Sequence, residues 1–236
     1  MEELRRMADL QTPERQAMSD VVFDVLYRQI LSLDLPPNTK MSEAEVAKLM
    51  GVSRQPVRDA FHRLSRLGFL DIRPQRATVV SPISIQAVAQ ARFIRKALEM
   101  ETVRTACERL GSEEIALLED IVERQRDAVS RSNVLEFYEL DDDFHWEICR
   151  LAGLEFAWEV IRENKAHMDR VRCLSLTFAS EEALEDHVSI LTAIKLKQSD
   201  KAAEAMGLHL SRIRLQLSRI HDEHKDYFSG DRDFEL

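Results

Sequence analysis

Glycine and proline are scarce in this 236-residue chain, at six each. So few breakers leave room for long helices and argue against an all-β sandwich, which needs a turn every few residues. Cysteine is also rare. Cys107, Cys149 and Cys173 are odd in number and widely spaced, which argues against redox and metal roles for them. Each falls within a helical pattern and reads as a small buried apolar residue. No apolar run approaches the roughly 20 residues that span a bilayer. The opening "MEELRRMADLQTPERQAMSD" has no signal-peptide core, so a cytoplasmic protein with no membrane partner is expected.

Positive charge is in deficit too. The net charge is −9, yet residues 1–80 hold 12 Lys and Arg against 11 Asp and Glu. The acidity therefore lies in the C-terminal part. Residues 51–80 hold six arginines against Asp59 and Asp71 alone. A basic patch on an acidic protein points to a polyanion partner for one domain only.

The chain divides into three stretches. Residues 1–19 read as a polar extension. Residues 20–81 begin with a helical stripe at Val22, Val25, Leu26, Ile30 and Leu33. "LPPNTK" breaks it, since Pro36 and Pro37 supply no amide donors. Ser42 is placed to cap "EAEVAKLM", with Glu45 completing a capping box and Gly51 ending the helix. In "GVSRQPVRDAFHRLSRLGFL", Ser53 is the candidate N-cap. Pro56 falls in the first turn, where an amide has no intrahelical partner to lose. Val57, Ala60, Phe61, Leu64 and Leu67 form the buried stripe, and Arg54, Arg58 and His62 line another face. "FLDIRPQRATVVSP" reads as two short strands around the turn Arg73–Pro74–Gln75–Arg76.

Three short helices and a β-hairpin make a winged helix-turn-helix. Its third helix offers free amides and the positive end of its dipole to phosphate. Arg54 and Arg58 are placed to reach base edges in the major groove, and Arg73 and Arg76 a flanking phosphate or the minor groove. Double-stranded DNA is the expected partner. The alternative is a three-helix protein-binding domain.

Residues 84–226 are nearly all helical in pattern. Helices are expected near 84–110, 112–131, 133–152, 155–178, 181–197 and 199–226, an antiparallel bundle of six. Ser112, Asn133 and Ser199 are candidate caps, and Gly111 and Gly153 candidate stops. The fold class is thus mainly α: a winged helix-turn-helix followed by a helical bundle.

In "ELDDDFHWEICRLAG", Asp141 and His145 share the apolar face of Phe137, Phe144, Ile148 and Ala152, while Asp142 and Asp143 are expected in solvent. His187 lies in the stripe Leu184, Ile190/Leu191, Ile194, and His209 in the stripe Met206, Ile213, Leu217. Ionisable groups on apolar faces are costly unless paired or metal-bound. One Asp and three His converging from three helices suit a divalent transition metal: zinc, nickel, manganese or cobalt. Taken singly, each His also fits a satisfied core residue. Arg95 faces inward with Ala91, Leu98 and Thr102, so it needs an anion: Glu99, Asp141 or a carboxylate ligand. His167 and Arg170 are further candidates for contact with such a ligand.

The stretch "LPPNTKMSEAEVAKLMGVSRQPVRDAFHRLSRLGFL", followed by "RKALE", "DDDFHWEICRLAG", "EDHVSILTAI" and "MGLHL", resembles the GntR superfamily of bacterial transcription regulators, in its FadR-like branch with an FCD effector domain. The resemblance covers roughly residues 20–215. It implies a homodimer on a pseudo-palindromic operator, and a small organic acid that binds the helical domain and alters DNA affinity. It places Ser53, Arg54, Gln55 and Arg58 on DNA, and Asp141, His145, His187 and His209 on the metal. Ala77 departs from the wing glycine common in the family, and Leu154 from the asparagine common after the glycine of "AGN". The expectation is a ligand-responsive regulator, with repression the expected sign. A metal-dependent enzyme on the bundle, and a bundle merely stapled by metal, are the competing readings. Effector, operator and native metal are not encoded in any motif.

Overall fold

The structure, a computed structural model, describes residues 13–73 and 77–229, apart from the side chains of residues 13–16 and 166. The chain forms two compact units, Met1–Pro82 and Ile83–Leu236. Among the described residues no helix is long and apolar enough to cross a membrane.

The first unit is built on α1 (Pro13–Leu31), β1 (Lys40–Met41), α2 (Glu43–Met50), α3 (Arg54–Arg66), β2 (Leu70–Asp71) and β3 (Thr78–Val80). Helix α1 begins before Asp20, so part of the expected polar extension is helix; residues 1–12 of that extension lie outside the described residues. Val22, Leu26 and Ile30 of α1 are buried, as are Val57, Ala60, Phe61 and Leu64 of α3. Ser42 caps α2 by accepting the Glu45 amide at 3.1 Å, and Gly51 ends it at φ 67°, a left-handed value that costs glycine nothing. Strands β2 and β3 pair antiparallel as expected. The sequence reading missed β1, which pairs with the other edge of β3 to give the order β1-β3-β2.

The second unit opens with β4 (Ile83–Ser84). There follow α4 (Ile85–Arg109), α5 (Ser112–Ser130), α6 (Val134–Leu151), α7 (Glu155–Asn164), α8 (Ala166–Lys195), α9 (Ser199–Ser211) and α10 (Ile213–Glu223). A 3-10 turn at Lys225–Tyr227 leads to β5 (Phe228–Ser229), which pairs parallel with β4.

Two expected boundaries are corrected. A break was expected at 178–181, but α8 runs straight through it. Leu176, Ala179, Ala183 and His187 continue one buried stripe without a change of phase, so packing carries the helix through the expected break. The break falls instead at Lys165. The Asn164 side chain donates to the Val160 carbonyl, and the Lys165 ammonium turns inward to Asp142 and Asp169. The final helix is split at Arg212, whose guanidinium is held by Asp186. The bundle therefore has seven helices rather than six among the described residues.

Two caps differ as well. Gly111, not Ser112, precedes α5, its amide donating to Glu114 at 2.8 Å, and Gln198, not Ser199, precedes α9. Asn133 caps α6 as read, accepting from the Glu136 amide at 3.3 Å.

Candidate metal centre and nucleic-acid interface

Helix α6 brings Asp141 and His145 one turn apart on its buried face, α8 supplies His187 and α9 supplies His209. One ligand atom from each of the four lies within 4.8 Å of all the others. The helices can afford polar groups here because every imidazole has a second partner. His145 Nδ1 meets Glu99 Oε2 at 2.5 Å, His187 Nδ1 meets Gln125 Oε1 at 2.8 Å, and His209 Nδ1 meets Asp186 Oδ2 at 3.3 Å.

These partners fix the tautomers. Glu99 and Asp186 are acceptors, so each Nδ1 facing them donates. The Gln125 amide nitrogen donates to the Leu140 carbonyl at 2.9 Å, which leaves its oxygen to accept from His187. His187 and His209 are thereby assigned the Nδ1–H tautomer, and His145, whose Nδ1 lies in ion-pair contact with Glu99 without hydrogen-bond geometry, the same, with the Nε2 atoms directed into the cluster. His145 Nε2 and His209 Nε2 stand 3.2 Å apart, and His187 Nε2 is buried with no hydrogen-bond partner. Lone pairs facing one another are repulsive unless a cation sits between them. The 3.2 Å gap suits two nitrogens each about 2.0–2.1 Å from one ion. The donor set, three imidazoles and one carboxylate, therefore fits a divalent transition metal.

Electrostatics keep the rings neutral. Burial lowers the pKa of His145, although Glu99 opposes it. Burial, with His209 and His145 nearby, holds His187 well below its ordinary value, and burial takes His209 down to about 4. Burial alone would raise the Glu99 carboxyl, but Arg95 and His145 outweigh it and hold it far below the carboxylate range. The buried Cys149 and partly buried Cys173 thiols are pushed up to about 12 by desolvation and stay protonated, outside the ligand set.

Arg95 is fully buried, and its anion is Glu99, with Nε 2.5 Å from Oε1. Asp141, the other side chain left open in the sequence, is not its partner. Asp141 instead contacts Arg172, a residue the sequence reading did not single out. Arg172 in turn bonds Asp169 at 3.1 Å and Asp142 at 3.3 Å, and Lys165 bridges the same two carboxylates at 2.8 Å each. Asp142 is thus tied into a largely buried ion network, contrary to the expectation that it is solvated; Asp143 is exposed as expected. A cavity of about 40 Å³ lies beside the cluster, with Arg95, Asp141, Arg172 and His209 in its wall.

His167 and Arg170 do not line this cavity. His167 Nδ1 accepts from the Ser84 amide at 3.1 Å and lies 2.9 Å from Arg170 Nη2, at the start of the second unit. Burial and Arg170 lower His167 to about 4.

In the first unit Ser53 precedes α3, but its hydroxyl makes no capping bond, contrary to the cap role read from sequence. That hydroxyl and the Arg54 side chain are exposed at the helix start. Gln55 donates to Asp59 at 2.9 Å. Arg58 is half exposed and bonds Glu43 of α2 at 3.1 Å, a contact that raises its pKa and fixes its direction. Arg73 pairs with Asp71 at 2.7 Å. Arg76 lies outside the described residues.

Comparison with known proteins agrees with both units. The profile of bacterial regulatory proteins of the gntR family matches residues 18–80, and that of the FCD domain matches residues 90–212. The HTH-type transcriptional repressor RspR of Escherichia coli K12 is 36% identical over 216 residues, 91% of this chain and 95% of its own length. The Nta operon transcriptional regulator of Aminobacter aminovorans is 27% identical, over 80% of this chain and 90% of its own. Among solved structures, Escherichia coli McbR superposes with a TM-score of 0.72 at 21% identity, covering 86% of this chain and 98% of its own. A GntR-type regulator from Rhodococcus sp. RHA1 gives 0.73 at 16% identity with the same coverage. At those identities the two structures speak to the fold alone.

Proposed function

Because the chain belongs to the gntR family of bacterial regulatory proteins and carries an FCD domain, we propose that it is a metal-containing, ligand-responsive repressor acting on DNA in the cytoplasm. The family membership makes it a DNA-binding transcriptional regulator. In our reading Asp141, His145, His187 and His209 hold a divalent transition metal, and a small organic acid reaches it through the adjoining cavity. A homodimer reads a pseudo-palindromic operator with Ser53, Arg54, Gln55 and Arg58, and Arg73 and Arg76 extend the contact to backbone. Two copies are needed because one short helix reads only a few base pairs. Repression follows the name carried by the RspR relative.

The observation that carries the metal reading is the shared orientation of the three histidines. Glu99, Gln125 and Asp186 each occupy one Nδ1, so three Nε2 lone pairs and the Asp141 carboxylate face one point. A bound divalent ion would supply a Lewis-acidic centre for an acid group. The acid then meets Arg172 at the cavity wall, whereas Arg95 is already closed by Glu99. Effector control requires only that the acid bind two arrangements of the bundle with different affinity. The relatives named above are regulators, which favours a sensor over an enzyme.

Elemental analysis of tag-free protein purified without chelator tests the metal. One transition-metal ion per chain is expected, falling sharply in His187→Ala and His209→Ala while operator binding without effector survives. No bound metal, and no uptake on titration, would reduce the four residues to a polar core cluster.

A further inference from the structure

Arg58 does not project freely from α3. Glu43, the first residue of α2, grips it through a forked contact. Arg58 Nε lies 3.1 Å from Glu43 Oε2 and 3.3 Å from Oε1, and Nη2 lies 3.1 Å from Oε2. A guanidinium carries five N–H donors in one plane. Glu43 takes its side edge, made by Nε and one Nη2 hydrogen, and so fixes the plane. The end edge, made by Nη1 and the second Nη2 hydrogen, has no hydrogen-bond acceptor among the described residues. Arg54, four positions earlier on the same helix, has no such carboxylate among the described residues.

Stability does not account for the pair. Its side chains are 50% and 30% exposed, and ion pairs so exposed contribute little. Ser42 already caps α2, and α3 is held by its own buried stripe. A carboxylate beside a DNA-reading arginine also repels phosphate, which lowers affinity for every duplex alike.

We propose that Glu43 is a positioning residue for base reading: it holds the side edge of the Arg58 guanidinium so that the end edge meets a guanine. The inference rests on the reading above that Arg58 contacts DNA. Two parallel N–H donors match O6 and N7 of guanine, and no other base offers two adjacent acceptors in the major groove. An unrestrained arginine loses its side-chain freedom on binding and is free to turn to a phosphate instead. One already gripped by a carboxylate is ordered in advance, which sharpens discrimination. Glu43 thus lowers general affinity and raises selectivity.

Full-length protein tests this by selection from a pool of random-sequence DNA duplexes, with sequencing of the bound fraction at one salt concentration. Fluorescence anisotropy then compares the duplex selected by the parent with a scrambled duplex of the same composition. The parent should enrich a motif with a guanine that Arg58→Ala no longer requires. Glu43→Asp keeps the charge at the helix start but is shorter by a methylene, and Glu43→Ala removes charge and contact together. Both should relax the same guanine, the ratio of selected to scrambled affinity falling about threefold or more. Only Glu43→Ala should bind the scrambled duplex more tightly, about two- to fivefold at low salt. Thermal melting checks the fold, and Glu43→Asp carries the test alone if Glu43→Ala unfolds. Glu43 variants that require the guanine as sharply as the parent, or that weaken both duplexes alike with the motif unchanged, would overturn the inference while leaving Arg58 a reader. An Arg58→Ala protein that selects the parent's motif, or a parent that selects none, would instead overturn the reading of Arg58, and the inference with it.

Discussion

Replacing Gln125 by leucine tests how the site is held. Gln125 is fully buried on α5, donates to the Leu140 carbonyl at 2.9 Å and accepts from His187 Nδ1 at 2.8 Å. Leucine fills similar space but leaves the His187 Nδ1–H bare, while the Leu140 carbonyl keeps its bond within α6. A bare buried group costs about 1–3 kcal/mol, so the metal-free fold should lose on that order. The imidazole loses its fixed tautomer at the same time, and metal affinity should fall about 10–100-fold. Gln125→Glu separates the two effects. A carboxylate still accepts from His187 but no longer donates to Leu140, so stability falls while metal affinity holds or rises. Urea unfolding of chelator-treated protein gives the first quantity, and competition with a chromophoric chelator gives the second. If Gln125→Leu lowered stability yet bound metal as tightly as the parent, the tautomer argument would be wrong and Gln125 would be packing alone.

Three further outcomes are expected. Arg54→Ala and Arg58→Ala should each weaken specific operator binding by about 1–3 kcal/mol with the fold intact, and binding should weaken with added salt; mutants equal to the parent at matched salt would remove α3 as the reader. Metal-free protein should lose stability as pH falls below about 6.5. The unfolded histidines take up protons there, while His167 and His209, depressed to about 4, and His187, also held well below its ordinary value, do not; Asp169, raised to about 6, acts in the opposite sense and offsets only part. A urea midpoint unchanged between pH 7.5 and 5 would contradict this. Sedimentation at micromolar concentration should show a dimer, and a monomer both free and on DNA would refute the two-fold reading.

Much of this protein is legible from local sequence, because local rules act within about one helical turn. The spacing of Val57, Ala60, Phe61 and Leu64 sets the buried face of α3, and that in turn exposes Arg54 and Arg58. Asp141 and His145, four apart, must share a face of α6, and the stripes through His187 and His209 already turned those rings inward. What the sequence could not say is who stands behind each ligand. Glu99, Gln125 and Asp186 lie on helices far away in the chain or on unremarkable faces, and only packing brings them to an imidazole. Arg172 is 31 positions from Asp141, and only the packing of α8 against α6 brings the two together. The sequence reading placed a helix boundary between 178 and 181. Burial of Ala179, Ala183 and His187 along one continuous stripe stabilises the helix by more than a cap can, so the tertiary structure decided it. The pairing of β4 with β5 is of the same kind: two-residue strands carry no periodicity, and it is the packing of Phe228 against the core around Ile83 that brings them together.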